Sequence, residues 1–233
     1  MPKRRRRRPK PPRHAARPQA RAKVRKKAAH ARPKRAARRS PFRTGAPRGA
    51  PAAGRAEVDR LGAALAAESD VTRGLERLLT IARRVTAAEA GTVYVRRGEA
   101  LEFTVVQNDV LAREIGEEEV RRRVGARSLS LRENSIASYV MLTRTTVNLR
   151  DAYEVPVDRP YTLLREVDRK ADYQTRSMLA LPLRDARARV FGVLQLINAL
   201  DRQGAVRPFS AADQQLVQAM AAQTARLPAL ATG

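Results

Sequence analysis

The chain has 233 residues, no cysteine and a formal net charge of +25. Without cysteine there are no disulfides, thiolate nucleophiles, thioether-linked chromophores or thiolate metal sites. The first 55 residues hold 22 of the 48 Lys and Arg, none of the 23 Asp and Glu, nine of the 14 Pro and both histidines, His14 and His30. That composition predicts a disordered Arg/Pro/Ala-rich tail and leaves a nearly charge-balanced remainder without the imidazoles that zinc, haem and general base chemistry use most.

The remainder is of normal single-domain size. No stretch approaches the ~18–20 apolar residues of a membrane span, and no apolar signal core follows the basic start. A cytoplasmic protein without a membrane partner is expected. The tail's Ala/Arg/Pro/Gly bias is also what translation through GC-rich DNA ahead of a start at Val58 or Val71 would produce.

Helical patterning begins with an alanine-rich segment over about Glu57–Ser69. Asp70 or Thr72 then caps a helix in which Val71, Leu75, Leu78, Ala82 and Val85 form one apolar stripe, and Gly91 marks its expected end. Thr92–Arg96 and Leu101–Gln107 are rich in β-branched and aromatic residues and flank the break Arg97–Ala100, which predicts a hairpin. A long irregular region, Asn108–Arg176, follows. It contains the acidic-basic run Glu117–Arg123, a short strand at Ser128–Leu131 and a helix at Asn134–Leu142. Connections of this length inside a compact domain are usually functional. A second hairpin, Ser177–Leu183 and Val190–Ile197 around Arg184–Arg189, is almost continuously apolar and is expected at the centre of the sheet. Ser210 and Asp213 have capping-box spacing for a last helix over about Ala211–Arg226, with Leu216, Val217, Met220 and Thr224 inward. Leu227–Pro228 breaks that helix.

Several segments resemble, in order, the landmarks of the GAF family, the sensory module of cyclic-nucleotide phosphodiesterases, adenylyl cyclases and many bacterial signalling proteins. Asn134–Val140 is similar to the family's "GSIAGYVA", Val147–Tyr153 to "LNIPDAY", and Tyr161–Asp168 to "PY...D". Tyr173–Leu179 is similar to "GYRTRSML", Pro182–Leu183 to its proline-aliphatic pair, and Gly192–Asn198 to "GVLQLIN". The GAF domains upstream of bacterial HD-GYP phosphohydrolase domains look closest. The resemblance implies an α+β fold: an antiparallel sheet with the N- and C-terminal helices on one face and the long connection over the other. The segments become a tail at 1–55, a linking helix at 56–70, a GAF domain at 71–228 and a C-terminal tail at 229–233.

The resemblance also implies a non-enzymatic regulatory role and a pocket under the long connection. Asp168 and Thr175 match pocket residues of cyclic-nucleotide-binding members. Ser135, Ile136, Ala137 and Tyr173 complete the candidate ligand-binding set. Leu164 stands at a polar aromatic position and Ala171 at a threonine position, so the pocket is expected to be less polar than a nucleotide site. Within the extended pattern "NKxnFx3DE", Asn198, Phe209 and Asp213 match as structural residues. Ala199 replaces the lysine and Gln214 the glutamate, which removes the lysine–aspartate tie between the sheet and the last helix.

Plainer readings stand beside these. Asp168 also suits a turn-capping loop residue, Asn134 and Ser135 suit helix caps, and Tyr153, Tyr161 and Tyr173 suit either a cavity wall or core. Glu117–Glu119 suit metal carboxylates or a solvated helical face with i,i+4 pairs. No metal or cofactor is expected, with a cyclic nucleotide or other small ligand as the exception. Expected partners are a second copy through the terminal helices, an output domain or protein outside this chain, and nonspecific nucleic acid through residues 1–55.

Overall fold

The computed structural model describes residues 52–230 apart from 126, 127, 164, 166, 167 and 170–172. The expectations for residues 1–51, Leu164 and Ala171 therefore lie outside the described residues. In chain order the elements are α1 (Ala52–Ala66), α2 (Val71–Thr86), β1 (Ala88–Arg97), β2 (Ala100–Asn108), α3 (Asp109–Ile115), α4 (Glu117–Gly125), β3 (Ser128–Ser130), α5 (Ile136–Thr143), β4 (Val147–Leu149), β5 (Met178–Arg184), β6 (Val190–Leu200), β7 (Val206–Arg207) and α6 (Ala211–Ala222).

The strands form one antiparallel sheet in the order β3-β2-β1-β6-β5-β4, with β7 paired to the end of β6. The central pair is β1 with β6, so each hairpin contributes one inner strand. The period-2 alternation of these strands feeds two separate cores. Val93, Leu194 and Leu196 meet Leu61 and Leu65 of α1, Leu75, Leu78 and Leu79 of α2, and Val217 and Met220 of α6 on one face. Tyr94, Phe103 and Val193 meet Ile136, Val140 and Met141 of α5 on the other. Terminal helices on one side and the long connection on the other is the expected α+β architecture. Because Val58, Leu61 and Leu65 of α1 are buried, a chain begun at Val71 would lack part of this core.

Local chemistry explains the boundaries. Asp70 caps α2 by accepting from the Arg73 amide at 3.1 Å, and Ser210 with Asp213 forms the capping box of α6. Helix α2 stops at Thr86, short of Gly91. Ala87 adopts the left-handed conformation at φ 53° and its amide closes the last turn onto the Arg83 and Arg84 carbonyls. Gly91 instead lies inside β1, where a Cβ would stand 2.7 Å from Leu79 Cδ1. Its missing side chain lets helix and sheet approach, so it does not signal a helix end. The Glu117–Arg123 run forms α4, in which Glu117 pairs with Arg121 and Glu119 with Arg122 and Arg123.

Gly192, at the start of the "GVLQLIN" segment, faces a harder limit. A Cβ there would sit 2.3 Å from the Tyr94 carbonyl oxygen on the paired strand β1. Backbone cannot retreat as a flexible side chain can, so Gly192→Ala must displace a central strand. The expected cost is about 1–3 kcal/mol, read as a lower urea midpoint in equilibrium unfolding with the secondary structure retained.

Candidate functional site

Beneath the described residues of the 150–176 segment, hereafter the lid, the sheet and α5 line a partly open cavity of about 100 Å³. Its floor comes from β1, β2 and β6. Alternation turns Thr92 and Tyr94 of β1 and Gln195 and Ile197 of β6 towards it. Ser135, Ile136 and Ala137 at the start of α5 form one wall, and Asp168, Tyr173 and Thr175 of the lid another. The structure thus brings all six sequence-predicted ligand residues to one enclosure, although 38 positions separate Ala137 from Thr175.

The polar groups differ sharply in how far they are engaged. Asp168 is 5 % exposed and accepts three hydrogen bonds. These come from the Thr175 hydroxyl to Oδ1 at 2.8 Å, and from the Thr175 amide at 2.8 Å and the Tyr153 hydroxyl at 2.9 Å to Oδ2. A carboxylate has about four acceptor positions, so one remains on Oδ1. Arg165 lies 4.9 Å from the Tyr153 ring centroid. Asp168 therefore clasps the lid to itself. Ser135 is the N-cap of α5, accepting from the Ser138 amide at 3.0 Å while its hydroxyl donates to Ser138 Oγ at 2.8 Å.

A second clasp joins lid to sheet. Asn198, in β6 with φ 54°, accepts from the Arg176 amide at 2.7 Å and donates to the Gln174 carbonyl at 2.8 Å and Glu89 Oε1 at 2.6 Å. The Tyr173 hydroxyl donates to the same Glu89 oxygen at 2.6 Å. Burial, reinforced by that carboxylate, pushes the Tyr173 phenol well above its ordinary range. Burial does the same to Tyr94 on the floor, against a smaller opposite effect from a hydrogen bond with Thr92. Both phenols are consequently neutral at physiological pH. Tyr161 is core rather than cavity wall, its ring tilted 53° against that of Tyr139 with centroids 4.8 Å apart.

Gln195 is the residue that sequence reasoning passed over. It is 8 % exposed, pairs across the strands with Thr92, and its side-chain amide hydrogen-bonds to no described residue. The signal was present: it is the only polar residue between Val190 and Ile197. No fully buried side-chain nitrogen or oxygen among the described residues lacks a partner, so this amide is not sealed in but faces the cavity, where it can bond whatever enters.

Two roomier grooves, of about 520 and 450 Å³, run beside α2 and α3. Both charged residues they share are already committed: Arg83 and Asp109 pair with each other at 2.6 Å, and Arg83 also donates to the Ala88 and Glu89 carbonyls and to Gln107 Oε1. The small cavity, with convergent buried polar groups, is the better candidate.

The sheet and the last helix are tied after all. Arg207 of β7 pairs with Asp213 at 2.7 Å and also donates to the Leu200 and Thr86 carbonyls. It supplies from β7 the cation that Ala199 cannot supply from β6. Phe209 is buried with the helix-side core, and Gln214, in the glutamate position, accepts from Asn148 of β4 at 3.0 Å.

Asp168→Ala is expected to loosen the lid without unfolding the sheet. Hydrogen exchange of the Thr175 amide should accelerate by roughly 10–100-fold, the equivalent of about 1–3 kcal/mol, while β6 amides stay protected. Burial alone would raise the Asp213 carboxyl, but bonds from Arg207 and from the Ser210 amide and hydroxyl outweigh it and hold it below its usual range. A depressed folded value adds stability above the unfolded pKa and loses it as pH falls through the folded one. Asp213→Asn should therefore cost about 2 kcal/mol near pH 7, and in matched denaturation curves the gap to the native chain should close as pH falls below the ordinary carboxylate range.

The family model for the GAF domain matches residues 70–227. The chain is also similar to the dual 3′,5′-cyclic-AMP and -GMP phosphodiesterase 11A of Takifugu rubripes, 37 % identical over 86 residues, which are 37 % of this chain and 8 % of that protein. The chain therefore spans less than a tenth of that relative. Among solved structures it resembles the GAF domain of an Acinetobacter phosphoenolpyruvate-protein phosphotransferase, with TM-score 0.54 and 18 % identity over 75 % of this chain and 92 % of that one. The corresponding domain from Coxiella burnetii has TM-score 0.55 and 13 % identity over 74 % and 90 %. At these identities the structural likeness shows the fold alone.

Proposed function

This chain belongs to the GAF domain family of regulatory and sensory domains, and from that premise we propose that it is a non-catalytic sensor whose lid answers a small molecule held over the sheet. The observation that carries the reading is Gln195, a residue 8 % exposed whose amide faces a partly open cavity at its floor with no protein partner among the described residues. An amide offers a donor and an acceptor side by side, the complement of a nitrogen heterocycle's edge. The neighbouring Thr92 hydroxyl and the free Oδ1 position of Asp168 extend that pattern.

Size narrows the ligand. Ligand pockets commonly measure ~300–1,000 Å³, against about 100 Å³ here. A single heterocycle needs little adjustment, whereas a cyclic nucleotide must push the lid outward. The relative named for cyclic AMP and GMP makes those nucleotides the first to test. The site binds rather than catalyses in this reading, because Asp168 is held by three lid bonds and the described residues include neither His nor Cys. The signal leaves through the helical face, where α1 and α6 would meet a second copy or an output domain.

The test is a thermal-shift and calorimetry screen of the full chain against cyclic nucleotides, nucleobases and common metabolites. At least one should raise the unfolding midpoint. Gln195→Leu should weaken that ligand at least about tenfold through its lost amide bonds, and Ala137→Leu should block it by filling the wall. A folded chain that no compound stabilises would instead be a structural adaptor.

A further inference from the structure

The 48 Lys and Arg outnumber the 23 Asp and Glu so far that 25 positive charges would remain even if every carboxylate took one cation. Residues 56–233 are already near balance, with 48 − 22 = 26 Lys and Arg against 23 Asp and Glu. Glu57, Glu99, Glu102, Asp109, Glu117, Glu119, Asp185 and Asp213 each pair with an arginine of the same domain. Glu89 and Asp168 are engaged in the two clasps. Residues 1–55 carry 22 Lys and Arg and no carboxylate of their own. Their counter-charge must come chiefly from outside the chain.

We propose that residues 1–55 bind nucleic acid along its phosphate backbone, without reading base sequence, and so tether the sensory domain to it. The charges come in runs, Lys3–Arg8, Arg21–Lys27 and Arg32–Arg39, and 16 of the 22 are arginine. Guanidinium groups meet phosphate oxygens with two parallel hydrogen bonds, which a lysine cannot do. Duplex DNA presents one charge per ~1.7 Å of axis, and each neutralised phosphate releases counterions. An anionic bilayer is the poorer match. Stable membrane anchoring needs an apolar signal beside a polybasic one, and the segment offers only Val24 and Phe42 beyond Met1. Base reading by stacking is not expected, because Phe42 is the segment's only Phe, Tyr or Trp.

The experiment measures fluorescence anisotropy of the full chain with a labelled 30-base-pair DNA duplex and with an RNA strand of equal phosphate content, from 50 to 300 mM KCl. Its comparison is the full chain carrying Lys3→Gln and Arg4→Gln through Arg8→Gln. Equal thermal midpoints for the two chains establish that the domain is intact. For the native chain, affinity should fall roughly 10³-fold or more between 50 and 200 mM salt, as for six to ten phosphate contacts. In the variant, the slope of log affinity on log salt should be shallower by several units. Comparable affinity for unrelated sequences supports backbone binding, with DNA and RNA arms deciding the polymer. Identical slopes for the two chains would overturn the proposal, as would tighter binding to vesicles containing phosphatidylserine at matched phosphate. None of these outcomes depends on the cavity holding a ligand.

Discussion

The geometry of the site depends on one residue bent the wrong way for a strand. Asn198 takes φ 54° near the end of β6, a left-handed conformation that asparagine tolerates better than most side chains. That turn brings its amide against the lid, where it holds the Arg176 amide, the Gln174 carbonyl and Glu89 of β1 at once. An aliphatic residue there would take this partner from Arg176 and Gln174 and leave the Glu89 carboxylate with Tyr173. Lid position, and with it the height of the cavity, is thus set by the backbone of a central strand.

The same junction faces the helices. Just beyond Asn198, the Leu200 amide donates to the Ala87 carbonyl at the end of α2, and Arg207 gathers the Leu200 and Thr86 carbonyls and the Asp213 carboxylate. Lid, central strands, α2 and α6 meet within a few residues of one strand end. Tight apolar packing on the helix side, where Leu194, Leu196, Val217 and Met220 are fully buried, transmits displacement poorly in small steps and favours discrete alternatives.

Much of this was legible in the chain. Periodicity located α2, both hairpins and the capping box of α6, because amphipathic stripes and apolar runs directly express burial. The ordered motifs located the lid and the six residues that converge on the cavity, which no local pattern could have gathered from either side of a long loop. Three features were hidden for physical reasons. Ala87 ends α2 in a conformation usually given to glycine, while Gly91 serves close packing, so composition pointed to the wrong boundary. Arg207 replaces a missing lysine from another strand, and only the pairing of β7 with β6 brings it to Asp213. Gln195 stood out as a polar residue in an apolar strand, but its solitude under the lid is a tertiary fact.

In the proposed sensing role the two walls of the cavity would contribute differently. A ligand shifts a conformational equilibrium only by its difference in affinity for the two states, however tightly it binds. Gln195 and Thr92 belong to the central strands, so in the proposed sensing role bonds to them would add affinity whether the lid were raised or lowered. Asp168, Tyr173 and Thr175 belong to the lid, and bonds to them would differ between its positions. Asp168 already has three partners and Tyr173 a half-buried carboxylate, so a ligand engaging either would have to work alongside or against a clasp that is closed without it. A molecule that satisfies the floor alone would be held without consequence. One that also reached the last acceptor position of Asp168, or displaced Tyr173 from Glu89, would act on the segment fastened to Asn198, and through that fastening occupancy of the cavity would reach α2 and α6 in the proposed sensing role.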